Sequence, residues 1–119
     1  MIIAFWIIGG LTALAFLAAG LMKATRPKPA LAGTMAWVED YSGGAVKAIG
    51  IVEILGALGI ILPALTGIAV ILSPIAAICL VVVMVAAAIV HVRRHESPVP
   101  PIVLAVLAAA TAALGSAAL

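Results

Sequence analysis

Apolar residues run along this chain in four long segments separated by three links. Each segment is close to the roughly 20 apolar residues that a helix needs to cross the hydrocarbon core of a bilayer. The pattern predicts an all-α membrane protein, a four-transmembrane-helix antiparallel bundle that forms one integral membrane domain over residues 1–119. The predicted spans are residues 2–22, 45–62, 66–92 and 98–119.

The charged side chains gather at one end of this predicted bundle. The six Lys and Arg and the four Asp and Glu lie in the first and third links or in the spans beside them. In a bundle with four crossings these two links share a face, and cytoplasmic links carry the excess of Lys and Arg. We therefore expect both termini outside a bacterial cytoplasmic (inner) membrane. The cations expected to contact lipid headgroups from the cytoplasm are Arg26, Lys28, Lys47, Arg93 and Arg94.

Composition excludes several classes of protein. Hydrophobic residues make up 67% of the chain and charged residues 8%, whereas a soluble domain is about 25% charged. Membrane lipids are the expected partners and nucleic acid is not, because scattered cations beside membrane spans suit anionic headgroups. A cleaved signal peptide is not expected, since no basic residue precedes the first span. The single cysteine, Cys79, excludes an intramolecular disulfide and a C-x-x-C redox motif.

The first link is predicted to have two parts. Pro27 and Pro29 are expected to exclude a regular helix from its beginning. Residues 31–41 predict a short amphipathic helix in the interface, with Glu39 and Asp40 towards water, and a plain surface loop is the alternative. The aromatic residues expected to anchor the protein at the membrane interface are Trp6, Trp37 and Tyr41.

Two prolines bear on the second and third spans. Pro63 is expected to end the second span, so that residues 63–65 form a tight link to the third. Pro74 is expected to bend the third span, because proline removes one backbone hydrogen bond from a helix interior.

Glu53 is the residue most indicative of a site. It lies on a helix face with Gly50, Gly56, Ala57 and Ile60, by the spacing of three and four residues. A charge at the membrane centre costs about 2.5–3.5 kcal/mol, so such a residue usually faces the bundle interior and has a partner. We therefore expect its carboxylate to point at another helix and not at lipid.

Lys23 and His91 are the expected partners, because both lie at the same end of their spans. With Glu53 they are predicted to form an intramembrane polar cluster open to the cytoplasmic leaflet. Two interpretations remain for this cluster: a structural tie that locks the bundle, and a ligand or proton site. No nucleophile triad, glycine-rich phosphate loop or metal spacing is present, and His91 and His95 lack a third ligand. We expect no catalytic residues, no metal and no intrinsic cofactor.

An ordered set of short segments and single residues runs along the chain: 19–23 (AGLMK), 49–59 (IGIVEILGALG), Leu62, Pro63, 72–77 (LSPIAA), Met84, His91, Arg93 and Glu96. In this set the chain resembles the DoxX-like family, small bacterial four-helix membrane proteins, over roughly residues 10–113. The recurring polar positions of that family fall on Lys23, Glu53 and His91.

The resemblance implies a role beside redox enzymes, since the family takes its name from a subunit of a thiosulfate:quinone oxidoreductase. The predicted function is a non-catalytic subunit or scaffold of a membrane redox or respiratory complex, in contact with other membrane proteins or a second copy. The alternative is a binder of a lipid-soluble ligand, such as a quinone or a lipid, with Glu53 and His91 bonding its head group. A third alternative is a small transporter or channel subunit.

Overall fold

The computed structural model describes residues 1–119 and contains only helices. Four of the helices are long and apolar enough to cross a membrane, which confirms the predicted four-helix membrane bundle and makes this a multi-pass membrane protein. The long helices are α1 (Ile2–Thr25), α3 (Gly43–Thr66), α4 (Leu72–Arg93) and α5 (Val99–Ala118), and the first link holds α2 (Lys28–Leu31) and a 3-10 helix (Ala36–Asp40).

The long helices form a ring in which each contacts two antiparallel neighbours. Helix α1 packs on α3 and α5, and α4 packs on α3 and α5, with the most extensive contacts inside the pairs α1–α3 and α4–α5. The longest dimension of the molecule is 40 Å, which matches a bilayer of about 40–45 Å including its headgroups. Both charged links lie at one end of this ring, here called the charged end. The chain termini and residues 67–71 lie at the opposite, uncharged end.

The proline predictions for the second and third spans are wrong. Helix α3 continues through Pro63 to Thr66 and is capped by Gly67, which adopts φ 70° and donates its N–H to the Pro63 carbonyl. Glycine takes this left-handed conformation without steric cost, so the helix terminates there and the link is residues 67–71. Pro74 is the third residue of α4. An amide at that position has no intrahelical partner, so Pro74 removes no hydrogen bond from the helix interior and the expected cause of a bend is absent.

The first link is not one interfacial helix over residues 31–41. Two short turns replace it, α2 and the 3-10 helix. Pro29 lies in the first turn of α2, a position that tolerates proline, so the prolines do not exclude helix here. The two turns dock through Leu31 and Val38, which are fully buried together with Val46 of α3. The link is therefore anchored to the bundle by its own small apolar core.

The main apolar core fills the middle and the uncharged half of the bundle. Three buried hydroxyl groups lie within this half. Thr12 and Thr111 share a hydrogen bond of 3.1 Å between α1 and α5, and Ser73 donates to the Ile60 carbonyl at 2.7 Å. The residues of the core are Phe5, Ala13, Phe16, Ala57, Ile60, Ala77, Leu80, Met84, Ala108 and Ala112.

Candidate functional site

Helices α1 and α3 cross in backbone contact at a pair of glycines. A Cβ atom added to Gly20 would lie 2.6 Å from the Gly50 carbonyl oxygen, and one added to Gly50 would lie 2.6 Å from the Gly20 carbonyl oxygen. Both distances are too short for any side chain, so the crossing requires glycine on both helices. Small residues allow such close approach in membrane bundles.

An ion pair lies beside this glycine crossing. Lys23 follows Gly20 by three residues and Glu53 follows Gly50 by three, so each is on the crossing face of its helix. Every Cα–Cβ bond tilts towards the N-terminus of its own helix, and antiparallel helices therefore lean these two side chains towards each other. Lys23 Nζ donates to Glu53 Oε1. The Glu53 side chain is fully buried, and its second oxygen, Oε2, has no hydrogen-bond partner.

Glu53 also lies at the floor of a cavity of about 610 Å³ at the charged end of the bundle. Because Gly43 begins α3, the carboxylate lies about 15 Å along that helix at 1.5 Å per residue. The cavity separates the α1–α3 pair from the α4–α5 pair, and the first link covers its mouth. Its polar and aromatic lining residues are Lys23, Thr34, Trp37, Tyr41, Glu53, His91 and Glu96, and its apolar ones include Ala19, Ile49, Val83, Met84, Ala87 and Leu104.

His91 faces this cavity from the end of α4 and is partly buried. Its Nδ1 atom lies 2.7 Å from the Ala87 carbonyl oxygen. A carbonyl oxygen can only accept, so this hydrogen bond requires the imidazole proton on Nδ1. In the neutral ring Nε2 is then an acceptor. Nε2 lies 4.0 Å from Glu96 Oε2, near the cavity mouth.

Two aromatic rings of the first link form part of the cavity wall. Lys23 Nζ lies 5.5 Å from the centroid of the Trp37 ring, within the range of a cation–π interaction. Trp37 and Tyr41 meet edge to face with centroids 5.6 Å apart, and both are partly buried. Trp6 lies at the uncharged end, edge to face with Phe5. The roles of these aromatic residues as interface anchors stay predictions.

Arg94 ties the first link to the link between α4 and α5. Its guanidinium contacts Glu96 at 2.8 Å, Asp40 at 2.5 Å and Glu39 at 3.8 Å. Hydrogen bonds to Glu96 and Asp40 raise the pKa of Arg94 above its usual range. The sequence predicted a lipid-headgroup contact for this residue, but carboxylates of the protein surround its guanidinium. The cavity cover is thereby clamped to the opposite side of the bundle.

The remaining cations have no carboxylate partner. Arg26, Lys47 and Arg93 are exposed at the charged end, and their headgroup contacts stay predictions. Lys28 is partly buried and lies 3.4 Å from the Glu39 carbonyl oxygen, to which it donates. No three His, Cys, Asp or Glu side chains come together as a set of metal ligands.

The sequence analysis selected Lys23, Glu53 and His91, and all three line the same cavity. It did not assign Glu96, Trp37 or Tyr41 to this site. The contact of Arg94 with Asp40 joins residues 54 positions apart, and periodicity carries no signal for such a pairing. The sequence analysis placed Glu39 and Asp40 towards water, whereas both carboxylates contact Arg94.

The comparisons with known proteins give one match. A model described as the DoxX-like family matches residues 7–114 of this chain, a range that contains the whole cavity lining. No curated protein and no solved structure matches it.

Proposed function

This chain belongs to the DoxX-like family of proteins, and on that premise we propose that its cavity binds a lipid-soluble molecule with a small polar head group, such as a quinone. The observation that supports the proposal is the Glu53 carboxylate, fully buried with Oε2 unpartnered, at the floor of this cavity. Leaving a buried acceptor unpaired costs about 1–3 kcal/mol. A ligand that donates to Oε2 offsets that cost.

The size and lining of the cavity favour a ligand over a purely structural tie. Its volume of about 610 Å³ lies within the roughly 300–1,000 Å³ of small-molecule sites, which are mostly apolar with a few polar groups. The Lys23–Glu53 ion pair accounts for the tie that the sequence suggested. That pair needs no cavity beside it, however, and a bundle held only by the pair would gain stability by closing the space.

The site also supports proton exchange with a bound quinone. Reduction of a quinone to a quinol takes up two electrons and two protons. Glu53 and His91 line the same cavity, and carboxylate and imidazole groups can accept and deliver protons at near-neutral pH. Neither group carries electrons, nor does the ammonium group of Lys23.

For this reason we also propose that the protein is a non-catalytic subunit beside a redox or respiratory enzyme of the bacterial inner membrane. The partner supplies the electrons, and the charged end faces the cytoplasm with both termini outside. A second copy of the chain is the other candidate for its membrane neighbour. Transport across the membrane is less well supported, because the core that includes Phe16 and Leu80 fills the bundle beyond the cavity floor.

Trp37 provides a direct test of ligand binding. In a Trp6→Phe background it is the only tryptophan, so a short-chain quinone bound in the cavity quenches its fluorescence to saturation. Ala87→Phe fills the cavity and is expected to abolish that saturation. Ala48→Phe, the same change on an exposed surface of α3, is the control and is expected to retain saturable quenching. Linear quenching without saturation, equal in all three proteins, would contradict the proposal.

Affinity purification from native membranes in a mild detergent tests the subunit role. We expect an intrinsic membrane partner in constant stoichiometry with the chain. Recovery of the chain alone as a monodisperse monomer would contradict that role and would leave the binding proposal intact.

A further inference from the structure

We infer that this cavity discriminates between the two redox forms of its ligand and binds the hydroxyl-bearing quinol more tightly than the carbonyl-bearing quinone. The inference rests on the proposed function, because it names which form of that ligand the site is built to hold. It depends on the hydrogen-bonding character of the atoms that face the cavity.

One buried polar atom of the lining residues has no partner within the protein, and it is an acceptor. Glu53 Oε1 is bonded to Lys23, while Oε2 is buried and has no partner. A quinol hydroxyl donates to this oxygen and satisfies it. A quinone carbonyl in the same place sets one acceptor against another, which leaves Oε2 unpaired and adds electrostatic repulsion.

His91 adds a second acceptor on the opposite wall when its ring is neutral. The hydrogen bond from His91 to the Ala87 carbonyl places the imidazole proton on Nδ1, so Nε2 of the neutral ring accepts. Glu96 lies beside His91 at the mouth, where its carboxylate already accepts from Arg94. The α3 side of the cavity therefore requires a donor from the ligand, and the α4 side with a neutral His91 accepts one.

The donor beside this acceptor is the Lys23 ammonium group, which gives one N–H to Glu53, lies 5.5 Å from the centroid of the Trp37 ring and keeps two further N–H groups. A quinol hydroxyl can accept from Lys23 and donate to Glu53 Oε2, whereas a quinone carbonyl can only accept. The indole of Trp37 and the hydroxyl of Tyr41 belong to the first link at the mouth, where headgroups and water compete for them. The balance at the floor thus favours a ligand that donates.

A hydrogen bond to a charged group contributes about 1.5–3 kcal/mol, which corresponds to a preference of roughly 10- to 100-fold for the quinol. Tighter binding of the reduced form raises the reduction potential of the bound couple. Each tenfold preference raises it by about 30 mV for a two-electron couple. The bound ligand is therefore a better electron acceptor than the same molecule free in the membrane.

Anaerobic titration calorimetry with a short-chain quinol and its matching quinone, on the full chain in detergent, tests the inference. We expect dissociation constants that differ by about tenfold or more in favour of the quinol. Equal constants, or tighter binding of the quinone, would overturn the inference while leaving the proposed function standing. Binding of neither form would overturn both.

A substitution at the floor supplies the second readout. Glu53→Gln replaces the free acceptor with an amide that can also donate. We therefore expect the affinity for the quinone to rise relative to that for the quinol, so that the ratio of the two dissociation constants falls towards one. Glu39→Gln makes the same change on an exposed carboxylate outside the cavity and is expected to keep the preference. An unchanged preference in Glu53→Gln contradicts the inference. If that variant does not fold, the dissociation constants of the quinol and the quinone for the wild-type chain still test the inference.

Discussion

Gly20 on α1 and Gly50 on α3 pass each other with their backbones in contact. The carbonyl oxygen of each glycine lies 2.6 Å from the position that a Cβ atom on the other would occupy. This contact sets the separation of the two helices. It therefore determines whether Lys23 and Glu53, three residues further along each helix, can meet.

Gly50→Ala is expected to separate the helices at this crossing. Its Cβ would overlap backbone atoms of Gly20 and Ala24, which cannot rotate away. Overpacking of this kind costs about 1–3 kcal/mol, measurable by thermal or denaturant unfolding in detergent. Gly10→Ala is the control on α1, since its Cβ meets nothing within 4 Å. That variant gains up to about 1 kcal/mol of helix propensity. Equal stability of the two variants would contradict the crossing.

Lys23→Met is expected to destabilise the bundle strongly, because it leaves the Glu53 carboxylate buried without its cation. Removing one partner of a buried pair costs about 3–5 kcal/mol, whereas replacing both partners is often close to neutral. Lys23→Met combined with Glu53→Gln should therefore recover most of the loss in the same unfolding measurement. Lys47→Met removes an exposed cation without a carboxylate partner and should change the stability by no more than about 0.5 kcal/mol. A double variant as unstable as Lys23→Met alone would argue against the pairing.

Arg94→Gln is expected to loosen the cover of the cavity, since this guanidinium joins Asp40 to Glu96. Hydrogen exchange of the amides in residues 35–41 should become faster, by about fivefold at most, because exposed ion pairs contribute little to stability. Arg93→Gln, the neighbouring exposed arginine without a carboxylate partner, is the control. Identical exchange rates in residues 35–41 of the two variants would show that the Arg94 ion pairs do not stabilise the first link.

The raised pKa of Arg94 fixes the sign of its pH dependence. A cation whose pKa is raised in the folded state contributes its stabilisation fully below its ordinary pKa, and loses it only as the pH rises through the raised pKa. Deprotonation of Arg94 therefore does not release the cover anywhere between pH 5 and pH 9. A fall in the protection of residues 35–41 across that range, measured against the intrinsic exchange rate at each pH and absent from Arg94→Gln, would contradict this.

Cysteine accessibility tests the orientation in the membrane. In a Cys79→Ala background, Gly33→Cys and Ser97→Cys lie in the two charged links and Ile68→Cys lies in the link between α3 and α4. In intact cells we expect an impermeant maleimide to label only Ile68→Cys, since the charged end is proposed to face the cytoplasm. Labelling of Gly33→Cys and Ser97→Cys from opposite sides would contradict the bundle itself.

Hydrophobic periodicity and charge placement were enough to predict the bundle and the acid inside it. Glu53 shares a helix face with Gly50, and a charge among small residues in a span has to face another helix. Helix ends were predicted less well. Pro63 was expected to end the second span, but α3 continues through it to Thr66. Pro74 was expected to bend the third span, but it lies in the first turn of α4, where proline is tolerated.

The cover of the cavity could not be predicted from local pattern. It depends on Arg94 reaching Asp40 across the bundle and on Trp37 turning onto Lys23. Both contacts join distant parts of the chain, and neither leaves a periodic signal. The unpartnered oxygen of Glu53 likewise depends on which side chains the packed helices bring to it, and the sequence does not show this.

Analysis of the small molecules that co-purify with the chain from native membranes tests the central claim most directly. The protein is extracted in native lipid discs, and organic extracts of wild type, Ala87→Phe and Ala48→Phe are compared by mass spectrometry. The account predicts an equimolar ring-bearing lipid-soluble molecule in wild type and Ala48→Phe that is lost from Ala87→Phe. Bulk phospholipid alone, in equal amounts in all three proteins, would contradict it.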